Sequence, residues 1–180
     1  RDMERAFDSC VNLRTVDLNS WDVSRVTTMF RMFYGARNFN SDLSSWDVSQ
    51  VRSTRYMLHD ARNFNSDVSS WDVSRVRDVR DMFNSCYKFN SDLNGWDTSR
   101  NVHMGAMFNK AIKFNSDLSS WDTSQVTSMW FMFYDAYRFN SDVRSWDVSR
   151  VRDMRDMFHD ARDFDVDISS WDVRVTIRQN

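Results

Sequence analysis

Phe39–Arg62 reads F-N-S-D-L-S-S-W-D-V-S-Q-V-R-S-T-R-Y-M-L-H-D-A-R, and near-copies of this stretch fill the rest of the chain. Trp21, Trp46, Trp71, Trp96, Trp121, Trp146 and Trp171 recur every 25 residues without a slip. A fixed period of about 20 to 50 residues marks a repeat architecture. One such unit cannot bury its apolar face alone, and stacking on its neighbours hides that face. The expectation is a single array of about seven 25-residue repeats over residues 1–180.

Inside the repeat, L-S-S-W-D-V places Trp46 and Val48 on one face and Ser45 and Asp47 on the other. That alternation predicts a short half-buried strand over Ser45–Val48 and its equivalents. A Ser follows at 24, 49, 74, 99, 124 and 149, where a helix N-cap would sit. The apolar series Val26, Met29, Met32, Phe33, Ala36 then draws one stripe on a three-turn helix. Helices are expected from near Val26, Val51, Val76, Val102, Val126 and Val151. Phe39 packs under the return turn, and Asn40 opens the next strand. The fold class expected is therefore α/β: a solenoid with a parallel sheet on its concave face and short helices on its convex face.

The motif F-N-S-D-L-S-S-W-D-V-S-x-V-x-x-M-x-x-M-F-x-x-A resembles the repeat of BspA-like leucine-rich-repeat surface proteins, found on bacterial and mycoplasma cell surfaces. The likeness runs nearly the whole length. One departure is that Arg25, Gln50, Arg75, Arg100, Gln125 and Arg150 stand where that family usually has Asn. The resemblance implies the leucine-rich-repeat fold, an extracellular or cell-surface location, and an adhesion or interaction role. It implies no catalytic residues.

Composition bounds the function without naming it. The chain has 180 residues, no Pro, 3 Gly and a net charge of -2. That balance gives no general attraction to nucleic acid, and no apolar run is long enough to span a membrane. Asp dominates over Glu, and Arg over Lys. Cys10 and Cys86 share a register with Ala36, Ala61, Ala111, Ala136 and Ala161, so both read as small buried hydrophobes. The first copy, Met3, Ala6, Phe7, Cys10, Leu13, carries one extra residue before Asp17. At the far end Arg174 replaces the Ser, and Val175-Thr176-Ile177 reads as strand. Neither end shows a polar cap, so the ends are expected to be truncated or covered by a partner.

The Asp column Asp47, Asp72, Asp97, Asp122, Asp147 lines the expected concave face. Hydrogen bonds from Ser hydroxyls and turn N–H groups are the simplest way to hold such carboxylates together. Cation binding between rungs is the alternative, although calcium needs six to eight oxygens. The Asn40, Asn65, Asn90, Asn115, Asn140 column reads as a ladder satisfying corner backbone groups, with Asp165 ending it.

Trp130 stands where other repeats have Phe30, Arg55, Arg80, Gly105 and Arg155. With Phe131, Tyr134 and Tyr137 it forms an aromatic group that Phe30 and Tyr34 echo near the start. Aromatics interleaved with Arg mark protein interfaces, while a locally enlarged stripe packing on itself is the other reading. No Ser-His-Asp constellation, zinc spacing or phosphate loop is present. The function expected is thus a non-catalytic adhesion module with no cofactor or metal, binding a protein partner, copies of itself included. A structural subunit of a surface layer or filament is the alternative.

Overall fold

The computed structural model describes residues 2–173, so the strand expected at 175–177 lies outside them. Residues one period apart stack in register. Isolated parallel bridges run Asp2, Thr28, Ser53, Asp78, His103, Ser128, Asp153 up the stack. Buried side chains from Leu18 to Trp171 form one core.

The α/β leucine-rich-repeat solenoid is not what the chain builds. Among the described residues there is no helix, no strand longer than an isolated bridge, and no sheet. With no sheet there is no concave sheet face either. Each repeat is instead a rung made of successive tight turns.

The segment expected to be helical shows why. Met29, Arg31, Phe33 and Gly35 donate their N–H groups to Ser53, Arg55, Met57 and His59 of the next rung, at 3.1, 3.1, 2.8 and 2.7 Å. The intervening Met32, Tyr34 and Ala36 donate three residues back, each at 3.1 Å. Half the N–H groups therefore leave the rung. An α-helix would keep every one of them inside, four residues back. The alternation needs left-handed residues at regular intervals: Arg31 (φ 55) with Gly35 (φ 68), then Tyr56 (φ 57) with Asp60 (φ 57), and so on up the stack. A helix contains no such residues.

The segment expected to be a strand fails for a different reason. Trp96 Nε1 donates to the Val68 carbonyl at 3.0 Å, and the Val68 N–H donates to Ser91 Oγ at 3.2 Å. Leu93 repeats this with Trp121 Nε1 (2.9 Å) and Ser116 Oγ (3.1 Å), and Leu118 with Trp146 Nε1 (3.1 Å) and Ser141 Oγ (2.9 Å). The expected strand itself closes turns, as the Trp96 N–H donates to the Leu93 carbonyl at 3.1 Å and the Ser99 N–H to Asp97 Oδ1 at 3.0 Å, while side chains tie the Val68, Leu93 and Leu118 positions just before it to neighbouring rungs.

The inward-facing set nevertheless matches the sequence pattern. Trp46 and Val48 are buried while Ser45 and Asp47 are exposed, and Val26, Met29, Met32, Phe33 and Ala36 are all buried. The rings form continuous columns. Trp71, Trp96, Trp121 and Trp146 stack with centroid spacings of 6.4, 6.4 and 6.2 Å. Beside them Phe83 stacks on Phe89 at 3.9 Å and on Phe108 at 5.8 Å. Three expected core residues lie outside, the exposed Ala6 among them. Trp21, on the first rung, is 38% exposed, and Cys10 is exposed while Cys86 is buried. Burial pushes the Cys86 thiol well above its ordinary pKa, and it donates to the Leu58 carbonyl at 3.0 Å.

Candidate functional site

The Asp column is a set of local turns. Asp47, Asp72, Asp97, Asp122 and Asp147 each accept the N–H of the Ser two residues on, at 3.0, 3.0, 3.0, 2.9 and 2.9 Å. The Ser99 hydroxyl and then its N–H hold the Asp97 carboxyl below its ordinary pKa, and the Ser149 N–H and then its hydroxyl do the same for Asp147. The Ser residues therefore close Asx turns rather than cap helices. The neighbouring column behaves alike, and at Asp142 the Arg144 guanidinium adds contacts of 3.0 and 2.6 Å that bring the carboxyl down to about 2. Among the described residues no group of three or more His, Cys, Asp or Glu side chains is placed to hold a metal ion. Chelator is expected to leave the melting temperature unchanged, because each rung offers a carboxylate already engaged and too few oxygens for calcium. A drop in the melting temperature that calcium restores would reassign the column.

The aromatic residues divide between separate places. Trp130, Phe131 and Tyr134 come together on one rung. Phe131 meets Trp130 edge-on at 5.7 Å and Tyr134 edge-on at 5.3 Å. Tyr134 stacks on His159 of the next rung at 4.7 Å. Phe131 and Tyr134 line a shallow groove of about 350 Å³ with Asn109, Lys110, Asp156 and His159. Partial burial first, then the nearby carboxylates of Asp135, Asp160 and Asp156, raise the Tyr134 hydroxyl's pKa, so it stays a donor at neutral pH. Tyr137 pairs elsewhere, under the Arg162 guanidinium at 4.2 Å. Phe30 and Tyr34 sit several rungs away, each edge-on to Tyr56 at 6.0 and 6.2 Å. There Tyr34 stacks on His59 at 4.7 Å, repeating the Tyr134–His159 arrangement.

Trp130 is half-buried because of the rung before it. A Cβ on Gly105 would come within 2.4 Å of Trp130 Nε1, so the indole lies where other rungs place an Arg side chain. The self-packing reading thus holds for part of this side chain. Phe131 takes φ 51, an uncommon value for a bulky aromatic, yet Tyr56 and Ala106 take φ 57 and φ 54 at the same register. The conformation belongs to the rung and not to a site.

A buried polar cluster escaped the sequence reading. Asp81 is 5% exposed, accepts from Asn84 Nδ2 at 2.8 Å, and leaves Oδ2 without a partner. His59 Nδ1 lies 3.9 Å from its Oδ1. Burial is the largest influence on Asp81 and raises its carboxyl to about 6, against the lowering effects of Asn84, Arg55, Tyr56 and Arg80. The sequence carried little signal for it, since the same register holds Arg31, Tyr56, Ala106, Phe131 and Asp156. Asn101 also passed unnoticed. It replaces Val in a buried column and donates Nδ2 to the Val76 carbonyl at 2.6 Å.

These features define a repeat protein of stacked turns tied together by side-chain ladders. The chain belongs to the family described as Mycoplasma protein of unknown function, DUF285, which matches residues 1–111 and 93–180. No curated protein and no solved structure matches it. The match is to that family, and the expected leucine-rich-repeat architecture is not what the stacked turns build.

Proposed function

We propose that this chain is a non-catalytic interaction module of a surface protein, binding a protein partner at the groove beside Trp130, Phe131 and Tyr134. The carrying observation is that groove, where half-buried aromatics stand at registers that other rungs give to Arg, Asp and Asn. Large aromatics beside a few charged groups supply most binding energy at protein interfaces. The groove adds Lys110 and Asp156 at its edge for orientation. The resemblance to BspA-like surface proteins supports the location and the adhesive role.

The test replaces Trp130 with Arg and Tyr134 with His, residues that already stand at these registers as Arg155 and His159. The double variant is expected to fold and to lose at least tenfold in affinity for a co-purified partner, about 1.4 kcal/mol or more. A complementary variant, Gly105→Ala, leaves every aromatic in the chain but displaces the Trp130 ring. It should weaken binding while lowering stability little, since a surface indole can swing out. Undiminished association in both variants removes the groove from the function.

A further inference from the structure

A second groove, on a different side of the rung, has the opposite chemistry. It measures about 670 Å³ and is lined by Lys88, Lys113 and Arg138 beside Asn40, Asn65 and Asn90. Its cations come from one register, which holds Asn38, Asn63, Lys88, Lys113, Arg138 and Asp163 in order. Lys is scarce in this chain, and the stripe stands on a protein of net charge -2. General basicity is therefore not its cause.

The amide ladder fixes which atoms face outward. Asn65, Asn90, Asn115 and Asn140 donate their backbone N–H groups to Oδ1 of Asn40, Asn65, Asn90 and Asn115, at 2.8, 2.8, 2.7 and 2.7 Å. Each amide oxygen is thereby taken, and its Nδ2 group is left to point a pair of donors at solvent. Lys88 and Lys113 are exposed and form no ion pair among the described residues, while Arg138 makes one long contact with Asp163 at 3.4 Å. The adjacent carboxylates are already accepting: Asp67 takes the Ser69 N–H and Asp92 the Asn94 N–H, each at 2.9 Å. The groove lining is thus amide donors with cations on three successive rungs, about 5 Å apart as in backbone-paired chains.

We propose that this groove binds a linear acidic glycan, with its carboxylate or sulfate groups on Lys88, Lys113 and Arg138 and its ring and hydroxyl oxygens on the Asn ladder. The rung spacing is comparable to the length of one pyranose residue, so successive sugars can meet successive rungs. A carboxylate and a sulfate both accept from such donors. Single-stranded nucleic acid is also a linear polyanion, but its binding sites stack bases on aromatic side chains. This lining has none.

The probes are a tetragalacturonate, a heparin-derived octasaccharide and an oligothymidylate of matched charge, with binding followed by calorimetry at several salt concentrations. The test variant is K88N/K113N, which installs the residue found at Asn38 and Asn63. Asn fits the register, since Asn63 Nδ2 already donates to Asn38 Oδ1 at 3.2 Å. The control, R25Q/R100Q, removes equal charge away from both grooves, with Gln50 and Gln125 as precedents at the same register. Wild type and control should bind one or both glycans alike. K88N/K113N should lose at least tenfold in affinity and show a shallower salt dependence, since fewer counterions are released. The relative affinity for the carboxylated and sulfated probes identifies the anion. Equal loss in both variants would reduce the effect to net charge and overturn the site. So would wild-type preference for oligothymidylate, or no glycan binding by wild type. None of these outcomes bears on the aromatic groove, which K88N/K113N leaves intact.

Discussion

Trp96→Ala should destabilise the protein by about 4 kcal/mol, with the loss felt first in the rungs on either side. Trp96 is 4% exposed and stacks between Trp71 and Trp121 at 6.4 Å on each side. It also tilts against Phe83 at 6.2 Å. Truncation opens a cavity inside a continuous ring column, which cannot collapse without shifting neighbouring rungs. It also removes one of the two donors to the Val68 carbonyl, which keeps only the Trp71 N–H at 3.2 Å. Losing one such hydrogen bond costs about 0.5–1.5 kcal/mol. Trp96→Phe separates the contributions, because it keeps most of the ring and drops the N–H. Denaturant melts should rank wild type above Phe and Phe above Ala. Amide exchange should quicken near Trp71 and Trp121 before distant rungs respond. A Phe variant as stable as wild type would show that the indole bond contributes nothing. It would also leave the side-chain ladder between rungs without a part in stability.

That ladder explains how far the sequence could be read. Burial was legible because it depends only on which residues are apolar. Trp46, Val48, Met29, Met32 and Phe33 all point inward as their spacing demands. Secondary structure was not, because the same spacing has more than one solution. Val23, Val26, Met29 and Met32 recur every three residues, and so do Phe33, Ala36 and Phe39. On a helix such a series draws a stripe. Here most steps close a turn instead, as Val26 donates to Val23, Met32 to Met29 and Phe39 to Ala36, at 2.8, 3.1 and 2.9 Å, while Met29 donates to Ser53 of the next rung. The deciding information was the destination of the alternate N–H groups, which is a contact between rungs and carries no residue signature. Only Gly35 hinted at the left-handed positions, since the equivalent sites hold Asp60, Ser85, Lys110 and Asp135.

The candidate sites divide along the same line. The aromatic group was visible as a departure from the repeat, and Trp130, Phe131 and Tyr134 do converge, but Tyr137 does not join them. The cationic groove was harder to see, because Lys88 and Lys113 matter only beside amides whose oxygens are already taken. That needs the bond between rungs, as from the Asn90 N–H to Asn65 Oδ1. Repeat position identifies residues that differ. Stacking decides whether the difference produces a surface.

Asp81→Asn should stabilise the protein above neutral pH by on the order of 2 kcal/mol and should have little effect near pH 4. The Asp81 carboxyl is raised to about 6 by burial in the stack. An unfolded Asp titrates near 4. The native state therefore holds this proton more tightly than the unfolded chain does. The stability that protonation contributes is fully present below about pH 4 and is lost as pH rises to about 6. Above that, wild type keeps an ionised carboxylate at 5% exposure with Oδ2 unpaired. The attraction of Arg55 and Arg80 already tempers the rise to about 6, and the Asn amide must itself be buried, so the expected gain falls below the full shift. Asn keeps the shape and cannot ionise. His59 acts in the opposite sense: burial, its largest influence, lowers its pKa, with Asp60 raising it and Arg31 lowering it again. Its contribution is lost as pH falls through the region below 6.5, but it is present in both proteins and largely cancels in their difference. Chemical melts of wild type and variant at pH 4, 5, 6 and 7.5 give that difference directly. It should grow with pH across this window and level off above 6. A flat difference, or a variant less stable at pH 7.5, would mean that Arg55 and Arg80 fully pair the carboxylate and that burial does not govern it.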